Sequence, residues 1–146
     1  MQDIIIRGGM IADGTGAPAY RGDVAICGGK ISAIGDLLDM QAKKTLCADG
    51  LIVAPGFIDA HAHSDTCFLN GGSCASKLCQ GVTTEVSGQC GMSPFPALPG
   101  RLDAGEAWQA ESFDAFVRRF EESGYGMAVN QAMLVGHGQL RAGVMG

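Results

Sequence analysis

The chain has 146 residues, of which 47% are apolar and only 17% charged, and its formal net charge at pH 7 is −5. This composition is that of a folded domain with a core, and it excludes disordered, collagen-like and coiled-coil proteins. The acidic balance argues against nucleic-acid and anionic-membrane partners. Since the sequence also shows no apolar run of about 18 residues and no basic leader segment, we expect a soluble, cytoplasmic protein.

The first 55 residues predict a small antiparallel sheet with one buried and one solvated face. Two pairs of short apolar strands are each joined by a Gly-Gly dipeptide, namely 3–7 with 10–11 across Gly8-Gly9, and 23–27 with 30–34 across Gly28-Gly29. Such dipeptides accept the positive φ angles of tight hairpin turns. The polar segment between the two pairs is predicted to be a surface loop.

The sequence pattern changes near residue 55, where we place a boundary between a first domain (1–55) and a second domain (56–146). Residues 51–53 and 57–58 lack polar alternation, which is typical of strands buried on both faces. Residues 82–87 predict a further strand and the runs within 127–135 another. With predicted helices between them, these strands indicate a parallel α/β sheet.

Two helices are predicted between these strands. Residues 73–80 form a short one that ends before Gly81. The longer one begins after Ser112 as N-cap and ends before Gly124. Its apolar stripe, which includes Phe113 and Phe116, follows helical spacing and is interpreted as core packing.

Six cysteines are spread along the chain: Cys27, Cys47, Cys67, Cys74, Cys79 and Cys90. Their even number allows three disulfides, but no secretory context supports them. We therefore predict reduced thiols, most of which serve as small buried hydrophobic side chains. The spacing between Cys74 and Cys79 does not match a zinc site, so these two are predicted to be structural.

The segment around Asp59, His61 and His63 carries the most informative side chains. If it is a strand, its period of two places all three residues on one face. Two imidazoles on one side converge readily on an ion such as Zn²⁺. Asp59 would then accept a ring N–H and fix the tautomer. The alternative is that the histidines are structural.

Cys90 lies between glycines just after the strand 82–87, where the carboxyl ends of parallel strands gather active-site residues. It is either a thiolate metal ligand or a free cysteine in a turn. His137 also follows a predicted strand and is a candidate for the same site. Asp65 is either a turn former or an acid that supports the ligands.

Several blocks of sequence carry a family resemblance: residues 3–35 with their two Gly-Gly dipeptides, residues 53–65 (VAPGFIDAHAHSD), residues 80–91 (QGVTTEVSGQCG) and residues 135–141. They resemble the N-terminal part of the N-acyl-D-amino-acid deacylases (D-aminoacylases), a zinc-dependent family of the amidohydrolase superfamily. The PGFIDxHxH block is shared with dihydroorotases and hydantoinases, whereas the Gly-x-Cys-Gly block is more specific to the deacylases.

The resemblance implies an α/β fold: the N-terminal part of a small β-sandwich in residues 1–55, then the first strands and helices of an incomplete (β/α)₈ metal-dependent hydrolase barrel in 56–146. It implies that His61, His63 and Cys90 bind metal, with one or two Zn²⁺ ions as cofactor. Gln89 stands where the family usually has Asn, which leaves the cysteine in place. Asp59, Asp65 and His137 are expected next to the ligands or near the substrate.

The activity that the resemblance implies is hydrolysis of small N-acyl-D-amino acids to a carboxylate and a D-amino acid. A complete (β/α)₈ barrel takes about 250 residues. We therefore expect this chain to be an N-terminal piece of a larger enzyme, inactive alone, with its catalytic residues beyond residue 146. Exposed barrel edges predict self-association.

Two other functions are compatible with the sequence. One is another cyclic-amide hydrolase of the hydantoinase or dihydroorotase type; such enzymes typically use a carboxylated lysine, so the cysteine loop argues against it. The other is a non-catalytic, oligomerising scaffold that keeps only an edge of the fold.

Overall fold

The computed structural model describes residues 1–67, 74–97 and 109–145. Contacts between Cα atoms divide the chain into two units, Met1–Pro55 and Gly56–Gly146. None of the helices in the described ranges is long and apolar enough to cross a membrane.

The first unit is a five-stranded mixed sheet in which the central strand β1 pairs with three others. Its strands are β1 (Gln2–Ile11), β2 (Tyr20–Cys27), β3 (Lys30–Gly35), β4 (Ala42–Cys47) and β5 (Ile52–Val53). The pairs β1–β2 and β2–β3 are antiparallel, and the hairpin predicted across Gly28-Gly29 is confirmed. Strands β4 and β5 run parallel to β1, so the prediction of a purely antiparallel sheet is wrong.

The prediction of a hairpin across Gly8-Gly9 is also wrong, because β1 continues through both glycines. The register with β2 shifts between Ile6 and Gly9, as at a β-bulge. A Cβ atom on Gly9 would lie 2.4 Å from Cγ2 of Val53. This glycine therefore permits the close approach of β5 rather than a chain reversal.

The core of the first unit contains Ile5, Ala25 and Leu37. Beside it lies a nearly buried carboxylate, Asp23, which accepts hydrogen bonds from Arg7 Nη1 and from the Gly8 N–H, both at 2.8 Å. Arg7 also donates to the carbonyl oxygens of Leu37 and Met40. A buried charge requires such partners, and here the ion pair joins β1 and β2 to the chain that follows β3.

The second unit contains a three-stranded parallel sheet, which confirms the predicted parallel α/β pattern. Its strand order is β6-β7-β8. The elements are β6 (Phe57–Asp59), α1 (Ala75–Leu78), β7 (Val82–Ser87), α2 (Phe113–Ser123), β8 (Asn130–Met133) and α3 (His137–Met145). Both α1 and β8 are shorter than predicted, and Ser73, the predicted start of α1, lies outside the described residues. Helix α3 was not predicted.

Helix α2 begins and ends as its sequence predicts. Ser112 is extended and its Oγ accepts a hydrogen bond from the Ala115 N–H, and Gly124 ends the helix with φ of 69°. Phe116, which is 1% exposed, packs with Phe95 and Ala110 to form the core of this unit. Phe113, at the start of the same stripe, is 52% exposed.

Two predictions of burial are wrong. Phe57 and Ile58 are 63% and 66% exposed, and Leu51 and Ile52 are exposed as well. Phe57 and Ile58 are exposed because β6 lies at the edge of the sheet, where its one partner among the described strands is β7. Most cysteines are also exposed rather than buried: Cys27, Cys47, Cys79 and Cys90.

Candidate metal centre

The three predicted ligands lie where two parallel strands end. His61 and His63 follow β6, and Cys90 follows β7. The histidines are not on the strand itself, as the alternation rule assumed, because β6 ends at Asp59. The segment nevertheless continues beside β7, since the Ala62 N–H donates to the Val86 carbonyl at 3.0 Å. This backbone contact directs both histidines towards the end of β7.

The ligand atoms of these residues form one cluster. One ring nitrogen from each histidine and the Cys90 sulfur all lie within 4.8 Å of one another. His61 Nε2 lies 3.1 Å from Cys90 Sγ, and the two rings are 5.3 Å apart between centroids. All three side chains are exposed. The arrangement offers two nitrogen donors and one sulfur donor to an ion approaching from solvent.

The loop that carries Cys90 depends on glycines. Cys90 itself has φ of 54°, between Gly88 at 80° and Gly91 at 78°. A Cβ atom on Gly88 would lie 2.1 Å from the Leu134 carbonyl oxygen, and one on Gly136 would lie 2.5 Å from the Gly91 carbonyl oxygen. Backbone therefore packs directly on backbone between the loops after β7 and β8, which fixes the position of Cys90.

We predict that Gly88→Ala destabilises the second unit considerably more than Gly124→Ala. Both positions have a left-handed φ, which costs a residue with a Cβ about 1–2 kcal/mol. A Cβ at Gly124 meets no atom within 4 Å, whereas at Gly88 it collides with the Leu134 backbone. Urea unfolding followed by circular dichroism measures the difference. Equal losses for the two variants would contradict the close packing described above.

Two hydrogen bonds join the loop after β6 (residues 60–65, the histidine loop) to the loop after β7 (residues 88–91, the cysteine loop). Asp65 Oδ1 accepts from the Gly88 N–H at 2.7 Å, and Gln89 Nε2 donates to the Ala60 carbonyl at 3.0 Å. Asp65, for which the sequence left a turn or a supporting acid open, thus contacts the loop of Cys90. Gln89 joins the same two loops, with its side chain reaching from the cysteine loop to the backbone of the histidine loop.

Asp59 contacts the backbone of the histidine loop rather than an imidazole. Its Oδ1 accepts from the His61 N–H at 3.1 Å, and its Oδ2 accepts from the Lys77 ammonium on α1. The pKa of Asp59 is lowered, mainly by the hydrogen bond from Lys77 and also by that from His61. Asp59 therefore remains a carboxylate at neutral pH and anchors the start of the loop.

Sequence reasoning missed Glu85, the fully buried carboxylate in the middle of β7. Its Oε2 accepts hydrogen bonds from Ser64 Oγ and from Gln131 Nε2, and its Oε1 lies 3.3 Å from Lys77 Nζ. Ser64 directly follows His63, so Glu85 anchors the far end of the histidine loop. The signal was present in the sequence: a charged residue inside a strand of β-branched residues needs a buried partner.

Lys77 and Glu85 are both charged at neutral pH. Burial raises the pKa of Glu85, but hydrogen bonds from Ser64, Gln131 and Lys77 outweigh it, so that the pKa lies below its ordinary value. The pKa of Lys77 is raised, first by its hydrogen bond to Asp59 and then by Glu85. The loop of His61 and His63 is thus held at both ends by one ionic cluster.

His137 is the first residue of α3, after β8, and its side chain is exposed. It is outside the cluster of three ligands. Its neighbour Gly138 contacts Gly91, because a Cβ on Gly138 would lie 2.8 Å from the Gly91 carbonyl oxygen. The structure thus brings this segment next to the cysteine loop.

A parallel α/β sheet that collects two imidazoles and a thiol at the carboxyl ends of its strands has the form of a metal-dependent enzyme site. Comparison with known proteins shows what the chain is similar to. No family model matches the chain. Two curated relatives from Alcaligenes xylosoxydans xylosoxydans match 98% of it: D-aminoacylase at 39% identity and N-acyl-D-glutamate deacylase at 43%.

Solved structures give the same result over 99% of the chain. N-acyl-D-glutamate deacylase from Bordetella bronchiseptica, complexed with zinc and a phosphonate mimic of the tetrahedral intermediate, is 41% identical with a TM-score of 0.87. A D-aminoacylase with a binuclear metal centre is 38% identical with a TM-score of 0.88. The chain is therefore a homologue of the D-aminoacylases, which are amidohydrolases. It spans about 30% of the length of the curated relatives, and 31% and 32% of these two solved chains.

Proposed function

We propose that residues 1–146 are part of a zinc-dependent enzyme that hydrolyses N-acyl-D-amino acids to a carboxylate and a D-amino acid. The observation that carries this proposal is the convergence of His61, His63 and Cys90 within 4.8 Å. The homology to D-aminoacylase and N-acyl-D-glutamate deacylase supports the substrate class. The substrate would be a small molecule.

The three side chains fit a zinc ion in both chemistry and spacing. Ligands held about 2.0–2.3 Å from one tetrahedral ion lie about 3.3–3.8 Å apart, so small rotamer changes bring the cluster to this geometry. Imidazole nitrogen and thiolate sulfur are the donors that zinc prefers. One or two ions are proposed, with part of the ligand set supplied by chain outside residues 1–146. Zinc, when bound, polarises the amide carbonyl and lowers the pKa of water.

The residues of this chain prepare the site in advance. Asp59 and Glu85 hold the two ends of the histidine loop, and Asp65 and Gln89 hold it against the cysteine loop. The ligands are therefore positioned before an ion arrives. Cys90 must lose its proton to bind, so zinc uptake releases a proton. His137, on the neighbouring loop, is proposed to lie near the substrate.

We further propose that the first unit is a portion of a β-sandwich and that the second unit is the beginning of a (β/α)₈ barrel. Three successive parallel strands with helices between them support the barrel. The exposed Phe57 and Ile58 on β6 are apolar surface that a neighbouring strand would cover. In the 146-residue chain alone, this surface is expected to promote self-association.

A chimera tests the activity. Residues 1–146 replace the homologous segment of N-acyl-D-glutamate deacylase, and the zinc-loaded protein is assayed with N-acetyl-D-glutamate and its L-enantiomer. We expect hydrolysis of the D-enantiomer, loss of activity with Cys90→Ala, and retained activity with Cys79→Ala. A folded Cys90→Ala chimera with full activity would contradict the proposed role of the thiol.

The isolated chain gives a separate test of where the catalytic residues lie. With added zinc, residues 1–146 are expected to bind the ion without turning over N-acetyl-D-methionine or N-acetyl-D-glutamate. Zinc-dependent turnover by this chain would show that its own residues suffice for catalysis.

A further inference from the structure

Two thiols that play no part in the candidate metal centre lie almost at bonding distance. The sulfur atoms of Cys67 and Cys74 are 2.7 Å apart. A disulfide bond measures about 2.05 Å, so an approach of about 0.65 Å would join them. Cys74 is buried and Cys67 is partly buried. We propose that Cys67 and Cys74 are an oxidation site: when a hydroperoxide oxidises them, they form a reversible intramolecular disulfide with each other.

The position of the pair connects it to the histidine loop. The Cys67 N–H donates to the Ser64 carbonyl at 3.0 Å, which places Cys67 in the turn directly after His63 and Ser64. Cys74 is the N-cap of α1, and its carbonyl oxygen accepts from the Lys77 N–H at 2.9 Å. The disulfide would therefore link the turn after the histidines to the helix that carries Lys77.

The environments of the two thiols set the order of the reaction. Burial, followed by the contact with Cys67, raises the pKa of the Cys74 thiol to about 12, so it stays protonated at neutral pH. Cys67 is the more accessible sulfur and reacts first. Its thiolate attacks one peroxide oxygen and becomes a sulfenic acid, and the other oxygen leaves as hydroxide, which takes up the proton that the thiol released and forms water. The Cys74 sulfur then attacks the Cys67 sulfur, and the sulfenic oxygen departs as a second water with the Cys74 proton.

The overall reaction is balanced. Two thiols lose two electrons and two protons, and these reduce one hydrogen peroxide to two waters. A thiol reductant such as dithiothreitol reverses the bond by exchange. In a reducing compartment, disulfides of this kind are transient and redox-sensing rather than structural.

Mass spectrometry of the 146-residue chain tests the proposal. The reduced protein is treated with one equivalent of hydrogen peroxide, alkylated with iodoacetamide and digested. We expect loss of two hydrogen atoms from the intact chain, an unalkylated Cys67–Cys74 peptide, and full recovery of both thiols with dithiothreitol. Cys79→Ser should behave like the unmodified sequence, and Cys67→Ser should abolish the linkage.

The mapping on the unmodified sequence decides the question even if a variant fails to fold. A bond between Cys67 and Cys74 that dithiothreitol reduces supports the proposal. Alkylation of both residues after peroxide treatment would overturn it. So would a bond from either residue to another cysteine, or oxidation of Cys67 to sulfinic acid in place of the linkage.

Discussion

Replacing Cys90 by serine is expected to lower the zinc affinity of the 146-residue chain by at least about 100-fold. Loss of a residue that merely supports a ligand already costs 10- to 100-fold, and Cys90 supplies the sulfur donor of the cluster itself. Competition with a chromophoric chelator gives the affinity. Substitution with Co²⁺ gives a second readout, because a thiolate ligand produces a near-ultraviolet charge-transfer band.

Two matched variants control this experiment. Cys79→Ser removes an exposed thiol outside the cluster, and Cys67→Ser removes one sulfur of the oxidisable pair. Both are expected to keep the affinity and the cobalt band. If Cys90→Ser keeps them as well, the thiol is not a ligand, and the candidate site reduces to the two histidines.

Phe116→Ala is expected to lower the free energy of unfolding of the second unit by about 3–5 kcal/mol, the usual cost of removing a buried aromatic side chain. Phe116 is 1% exposed, and its ring centroid lies 5.5 Å from that of Phe95. The cavity left behind would be lined by the same core residues. Urea unfolding followed by circular dichroism measures the loss.

Phe113 on the same helix is the matched control. Its ring contacts Phe95 edge-on at 5.3 Å but is half exposed, so Phe113→Ala should cost no more than about 1.5 kcal/mol. Comparable losses for the two variants would mean that α2 does not pack through Phe116.

The same two positions illustrate what the sequence can predict about packing. Helical spacing identified a stripe that contains both phenylalanines, because periodicity reports which face of a helix is apolar. It does not report how far the neighbouring chain covers that face. Phe116 is buried because it packs against Phe95 and Ala110, and Phe95 lies outside the helix, on the segment that follows β7.

The candidate site divides in a similar way. His61, His63 and Cys90 were found from residue type and local spacing, because few residues besides histidine and cysteine offer donors suited to zinc. Glu85 and Lys77 were missed, because a charged residue within a strand or helix does not by itself show which distant residue it pairs with. Their importance arises only when α1 lies beside β7 and the lysine reaches both Asp59 and the buried glutamate.

The sequence by itself determined the residues of the candidate metal centre, the parallel α/β pattern of the second unit and the ends of α2, since each depends on residues close together along the chain. Only the tertiary structure decided that β1 continues through Gly8-Gly9 and that an ionic cluster anchors the histidine loop. These features depend on which distant segments come into contact, and that is settled by the packing of the whole unit rather than by any local preference.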